Sequence, residues 1–224
     1  MNIQRTIILI TSAGSTLGST LATHFAALGA RIVLCDKHHH HLQQTLQRCA
    51  PISPNVHAFL LSDYTTHSLQ QLFQFVEQCY GSSPDVLVNT LTTRPMPTLI
   101  GDVSPEEFTQ HLAFMASTLF TFGQATAEQM REANKQGVIV NIVTHEDWQD
   151  LSGFEHATSM VTGLTQSWAR ELTPFKIRVG GVIPALNTFT HHAHHHWAEI
   201  NAELVSNTEY IVANDYFSGR IMAA

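Results

Sequence analysis

A run of four apolar residues, Ile7 to Ile10, stops at a short turn, TSAGSTLG (Thr11 to Gly18), after which apolar residues return at three- and four-residue spacing as Leu17, Leu21, Phe25 and Leu28. The pattern reads as a buried strand, a tight turn and an amphipathic helix. In such a unit the turn and the helix's first unpaired N–H groups face the end of the strand. With the helix dipole they form a place for a phosphate or pyrophosphate. A dinucleotide turn wants glycine where φ must be positive and where backbone approaches the phosphates closely. Gly14 and Gly18 are present, but Ser12 and Thr16 stand where more glycine is expected.

The same alternation continues along the chain. Arg31 to Cys35 reads as a second strand, closed by Asp36 and followed by a helix from near His38 that carries Leu42, Leu46 and Cys49. Val56 to Leu61 is a third strand backed by Leu69, Leu72, Phe73 and Val76, and Asp85 to Asn89 a fourth, running into a loop with Pro95 and Pro97. Ser104-Pro105-Glu106-Glu107 is a capping box that opens a helix to about Ala133. Val138 to Val143, a helix over Gly153 to Leu172, and Ile177 to Ile183 ending at Pro184 come next. A His-rich loop, a helix near Trp197 to Val205 and a short strand near Arg220 to Ala223 close the chain. Strands alternating with helices imply right-handed crossovers. The expected fold is α/β, a Rossmann-like doubly wound parallel sheet of about seven strands with helices on both faces and ligand at the strands' carboxyl ends. With 224 residues the chain is expected to form a single domain, 1–224.

Asp36 ends the second strand, 18 residues beyond Gly18. A carboxylate there can accept hydrogen bonds from an adenosine ribose and would repel a 2′-phosphate. It could equally cap the helix that starts near His38.

A net charge of −7 gives no footprint for nucleic acid or an anionic membrane. No apolar run approaches the ~20 residues of a membrane helix, so a cytoplasmic protein is expected. Cys35, Cys49 and Cys79 have neither zinc nor disulfide spacing. The 15 histidines cluster at His38 to His41 and at His191, His192, His194, His195 and His196. Such density can bind zinc, nickel or copper, but runs without the spacing of a defined site read as solvated polar segments, so no metal site is expected.

These residues resemble the short-chain dehydrogenase/reductases over almost the whole chain. The family's T-G-x-x-x-G-x-G falls on Thr11 to Gly18 with its first two glycines replaced, and its N-N-A-G on Asn89, Thr90, Leu91 and Thr92. GVIVNIVT (Gly137 to Thr144) and GLTQSWARELTPFKIRVGGVIPA (Gly163 to Ala185) match two further segments of the pattern. The resemblance implies contacts to a nicotinamide dinucleotide at Thr11, Ser12, Gly14, Thr16, Leu17, Gly18, Asp36, Asp63, Asn89 and Pro184. It also implies a homodimer or homotetramer through helices 106–133 and 153–172, both apolar on more than one face.

The catalytic positions depart from the pattern. Counting back five residues from Gly163 puts Thr158 at the family's Lys and Phe154 at its Tyr, while Met115 falls on the relay Asn and Thr144 near the Ser. Phenylalanine has no titratable proton and threonine no positive charge. His145, beside Glu146 and Asp147, is the candidate substitute, although a lone loop histidine is commonly a solvated side chain. His156 lies two residues from Phe154, about 200° around a helix, and is poorly placed. Two functions therefore stand: a non-catalytic, dinucleotide-binding sensor or subunit, or an oxidoreductase acting on a carbonyl or alcohol with an unconventional proton donor. Leu91 and Thr92 replace the family's small Ala-Gly. Crowding there implies weak binding dominated by the adenosine half, with NAD(H) preferred over NADP(H).

Overall fold

The computed structural model describes residues 1–98, 100, 104–145, 151–185 and 193–224, with the side chains of 193–197 excepted. Seven strands form one sheet in the order β3-β2-β1-β4-β5-β6-β7: β1 (Ile7–Ile10), β2 (Arg31–Asp36), β3 (Val56–Leu60), β4 (Val86–Thr93), β5 (Gly137–His145), β6 (Ile177–Ile183) and β7 (Ile221–Ala223). Every pairing is parallel. Among the described residues six α-helices connect the strands: α1 (Thr16–Ala27), α2 (His39–Cys49), α3 (Thr66–Tyr80), α4 (Pro105–Glu132), α5 (Phe154–Leu172) and α6 (Ala193–Ala213).

Parallel strands covered on both faces must be apolar throughout, and Ile7, Ile8, Leu9 and Ile10 are fully buried. Successive side chains go to opposite sides. Ile8, Ile10, Val86 and Val88 enter a core with α1 and α6, whereas Ile7, Leu9, Leu87 and Leu91 enter one with α3, α4 and α5. The helix starts follow sequence chemistry. Ser15, Thr65 and Ser104 each cap a first turn through the side-chain oxygen, and Pro105 occupies the first turn of α4, where a missing N–H costs nothing.

Asp85, just before β4, ties three strands together. Its main chain bonds both to Ile7 O (2.8 Å) and to Val138 N (3.0 Å). Its carboxylate accepts the Ile7 N–H (2.7 Å) and pairs with Lys135 (2.7 Å).

Two elements run longer than the sequence pattern suggests. β4 continues four residues past Asn89, because Thr90 to Thr93 stay paired with Ile142 to His145 of β5. α6 extends to Ala213, where buried Thr208, Ile211 and Val212 hold its second half against the sheet. The His cluster on α2 is exposed, with the His38 and His41 rings 6.0 Å apart and those of His40 and His41 5.8 Å apart. Among the described residues no three His, Cys, Asp or Glu side chains converge as a metal site. In the second cluster, His191 and His192 and the side chains of His194 to His196 lie outside the described residues.

Candidate functional site

A cavity of about 920 Å³ opens over the carboxyl ends of the strands, where β1 pairs with β2 on one side and β4 on the other. This is the switch point at which open α/β sheets bind ligands. One wall is the 11–18 turn. Ser12 holds a φ of 49° that glycine adopts without strain, and its hydroxyl donates to Thr90 O at 3.2 Å. Ser15 Oγ donates to Ser12 O (2.7 Å) and accepts the Gly18 N–H (3.0 Å). A Cβ on Gly18 would lie 2.4 Å from Ser12 O, so this backbone tolerates no side chain there. Ser12, Gly14, Thr16 and Leu17 line the cavity. Thr11 stands behind them, accepting the Thr90 N–H at 2.9 Å, and joins Gly18 in shaping the turn from outside the lining.

Asp36 is on the cavity wall but already engaged. Its Oδ2 accepts the Gly14 N–H (2.8 Å), and its Oδ1 accepts the His38 N–H (2.8 Å) and lies 3.1 Å from His38 Nδ1. A carboxylate has sites for about four hydrogen bonds, so acceptor capacity remains for a ribose. The capping expectation needs correction: the residue at the N-cap of α2 is His38, and its side chain makes no capping bond.

Three expected contacts are placed elsewhere. Asp63 turns to α3, accepting from Thr65 N, Thr65 Oγ1 and Ser68 Oγ, and does not line the cavity. Hydrogen bonds from Ser68 first and then Thr65 lower its pKa to about 2 from an ordinary 3.8. A carboxyl with a depressed folded value stabilises above the unfolded value, and that contribution is lost as pH falls from 3.8 toward about 2. Its side-chain carboxyl should titrate near 2 by NMR; a midpoint at the ordinary value would show that the bonds from Ser68 and Thr65 do not form. Asn89 is buried between β4 and α4, donating to Leu119 O (2.9 Å) and Asn141 Oδ1 (3.3 Å). Pro184, buried after β6, is likewise off the lining.

Of the residues expected at the Tyr and Lys positions, Phe154 begins α5 only 1% exposed, and Thr158 Oγ1 donates to Glu155 O at 3.0 Å. Neither lines the cavity, whereas Met115 and Thr144 do. His145 is not a solvated loop residue. It ends β5, is buried, faces the cavity, lies 2.6 Å through Nδ1 from Thr93 Oγ1, and packs edge-on against the Phe154 ring at 5.4 Å. Pairing with Thr93 carries the strand one residue past Thr144 and draws the ring inward. Glu146 and Asp147 lie outside the described residues. His156 packs on Phe108 and is off the cavity lining.

Sequence reasoning missed His111, four residues before Met115 and so on the same face of α4, which the i, i+4 spacing could have shown. Among the described residues its Nδ1, with Thr90 Oγ1 and Thr92 Oγ1, has no protein partner, and all three residues line the cavity. Both residues expected to crowd this end line the cavity: Leu91 also packs in the core beside α4, and Thr92 lies on the Thr90 side of β4. The volume, the capped helix start, the remaining acceptors on Asp36 and the orphaned atoms together fit an elongated polar ligand such as a dinucleotide.

The model of the short chain dehydrogenase family matches residues 6–200. An uncharacterized oxidoreductase of Thermotoga maritima is 27% identical over 82% of this chain and 72% of its own length. Carbonyl reductase [NADPH] 2 of Sus scrofa is 28% identical over 83% of this chain and 73% of its own. A crystal structure of a short-chain type dehydrogenase/reductase from Mycobacterium marinum superposes with a TM-score of 0.82 at 20% identity, covering 99% of this chain and 94% of that one. Fold, cavity and sequence thus agree, and the chain belongs to the short-chain dehydrogenase/reductase family of NAD(P)-binding oxidoreductases.

Proposed function

We propose that the protein binds an unphosphorylated nicotinamide dinucleotide, mainly through its adenosine half, as a sensor or binding subunit that does not run the family's tyrosine-lysine proton transfer. The observation that carries this reading is the state of Phe154 and Thr158: one ring sealed in the core, one hydroxyl spent on a main-chain carbonyl, both off the cavity. The chain's own residues would supply the Thr16 and Leu17 N–H groups toward phosphate and the Asp36 carboxylate toward the ribose. A bound nicotinamide would bring hydride chemistry, but these two positions offer it no proton.

Calorimetric titration with oxidised and reduced NAD and NADP tests the proposal. NAD(H) should bind at least about tenfold more tightly than NADP(H), since a 2′-phosphate would meet the Asp36 charge. Equal affinities, or a preference for the phosphorylated form, would reject it.

One observation favours a second reading. His145 is buried at the cavity beside Thr144, so an oxidoreductase acting on a carbonyl or alcohol could draw its proton chemistry from that imidazole. Either protein would assemble through α4 and α5. Phe120 is left 47% exposed on α4 and meets Trp168 of α5 at 6.1 Å. A second copy packed there would cover it. Among the described residues no helix is long and apolar enough to cross a membrane.

A further inference from the structure

Asp36 carries a mostly buried charge that no lysine or arginine answers. Its side chain is 9% exposed, and among the described residues no Lys or Arg nitrogen lies within 4.0 Å of the carboxylate. The neighbouring Lys37 turns to the Tyr64 ring instead, at 4.8 Å. What faces the carboxylate is imidazole. Oδ1 lies 3.1 Å from His38 Nδ1, and Oδ2 accepts the N–H of Gly14, on which His41 packs. A Cβ added to Gly14 would lie 3.1 Å from Oδ2 and 2.7 Å from His41 Cβ, so the second imidazole starts within reach of the same carboxylate. His38 and His41 are three residues apart, the spacing that puts side chains on one side of a helix, and their rings lie 6.0 Å apart at 38°.

We infer that Asp36, His38 and His41 form a binding site for a divalent transition-metal ion of the zinc class. Bonds from such an ion to nitrogen and oxygen run about 2.0–2.2 Å, which sets two of its ligands roughly 2.8–3.4 Å apart at angles between octahedral and tetrahedral. Asp36 Oδ1 and His38 Nδ1 already have that separation. His41 is exposed, so turning its ring toward the ion disturbs no packed side chain, and water completes the coordination. Two donors in place and a third that closes on the ion agree with the absence, among the described residues, of three converged ligands before metal arrives. Donor type selects the ion: imidazole suits zinc, copper and nickel, whereas magnesium and calcium take oxygen. The positive end of the α2 dipole opposes a cation here, but it amounts to about half a charge against the full charge of a carboxylate in direct contact. The site does not rest on the dinucleotide reading.

The test titrates zinc chloride into the protein while NMR follows the imidazole nitrogens of all 15 histidines separately, which keeps the second His cluster from masking the first. His38 and His41 should shift together, at one midpoint lower than those of His39 and His40. His41→Gln, and Asp36→Asn, which keeps an oxygen for the Gly14 N–H, should each raise the His38 midpoint about tenfold or more. Replacing His39 and His40 together with Gln should move it less than about threefold. Magnesium chloride should shift none of them. His41 is exposed, so His41→Gln keeps the test decisive even if Asp36→Asn disturbs the turn. Equal midpoints along His38 to His41, or a loss without His39 and His40 as large as that in His41→Gln, would mean adventitious capture by an exposed run and overturns the site. So does a His38 midpoint unchanged in a folded Asp36→Asn, and so does no His38 shift up to about 1 mM zinc.

Discussion

Asp85→Ala is expected to lower stability by about 3 kcal/mol, the scale for breaking a mostly buried ion pair by removing one partner. The Asp85 and Lys135 side chains are 18% and 22% exposed, so water screens the pair only partly. Deleting the carboxylate strands the Lys135 ammonium beside Ser82 Oγ and the Ser83 carbonyl, and leaves the Ile7 N–H at the entry to β1 without its acceptor. Asp85→Asn keeps an oxygen for Ile7 and removes only the charge, so it should cost about half as much. Denaturant midpoints at constant m-value measure both. An Asp85→Ala change within about 0.5 kcal/mol of wild type, the ordinary range for surface positions, would show that the β1-β4-β5 clamp carries no weight.

The fold was legible because its determinants are local and repeated. Buried runs such as Ile7 to Ile10 and the caps at Ser104 and Pro105 state their roles without tertiary help. Polar strand ends were less legible. The pairings of Thr90 to Thr93 with Ile142 to His145 extend β4 and β5 through Thr-rich sequence, which suits a strand but lacks the apolar run that marks a buried one. The position of His145 was hidden too: a histidine just past the expected strand Val138 to Val143 looks like loop until Thr93 offers it a partner. Asp63 and Asn89 were misplaced for another reason. Motif position fixes where a residue lies along the chain but not which neighbour its side chain finds. Ser68 and Thr65 capture the first, and the Leu119 carbonyl captures the second.

No hydride transfer to ordinary ketones or alcohols is expected from the unmodified protein, and His145→Ala decides between the two readings of the cavity. General acid-base catalysis contributes about 10²- to 10⁴-fold, and Phe154 and Thr158 cannot supply it. His145 is the alternative, and its bonding limits what it can do. Thr93 Oγ1 has one hydrogen and lies 3.1 Å from Thr144 O and 2.6 Å from His145 Nδ1. If both bonds form together, the threonine donates to the carbonyl and Nδ1–H donates to the threonine. Any turnover through His145 should be lost with the ring. His145→Ala should abolish that turnover by about 10²-fold or more, while Thr93→Val, which lets the ring rotate and exchange tautomers, should reduce it less. Under the binding-only reading, His145→Ala changes no rate because there is none to change, and dinucleotide affinity stays within about threefold. Robust alcohol oxidation by the unmodified protein, lost in His145→Ala with dinucleotide binding intact, would put the proton chemistry on the imidazole and make the protein an enzyme.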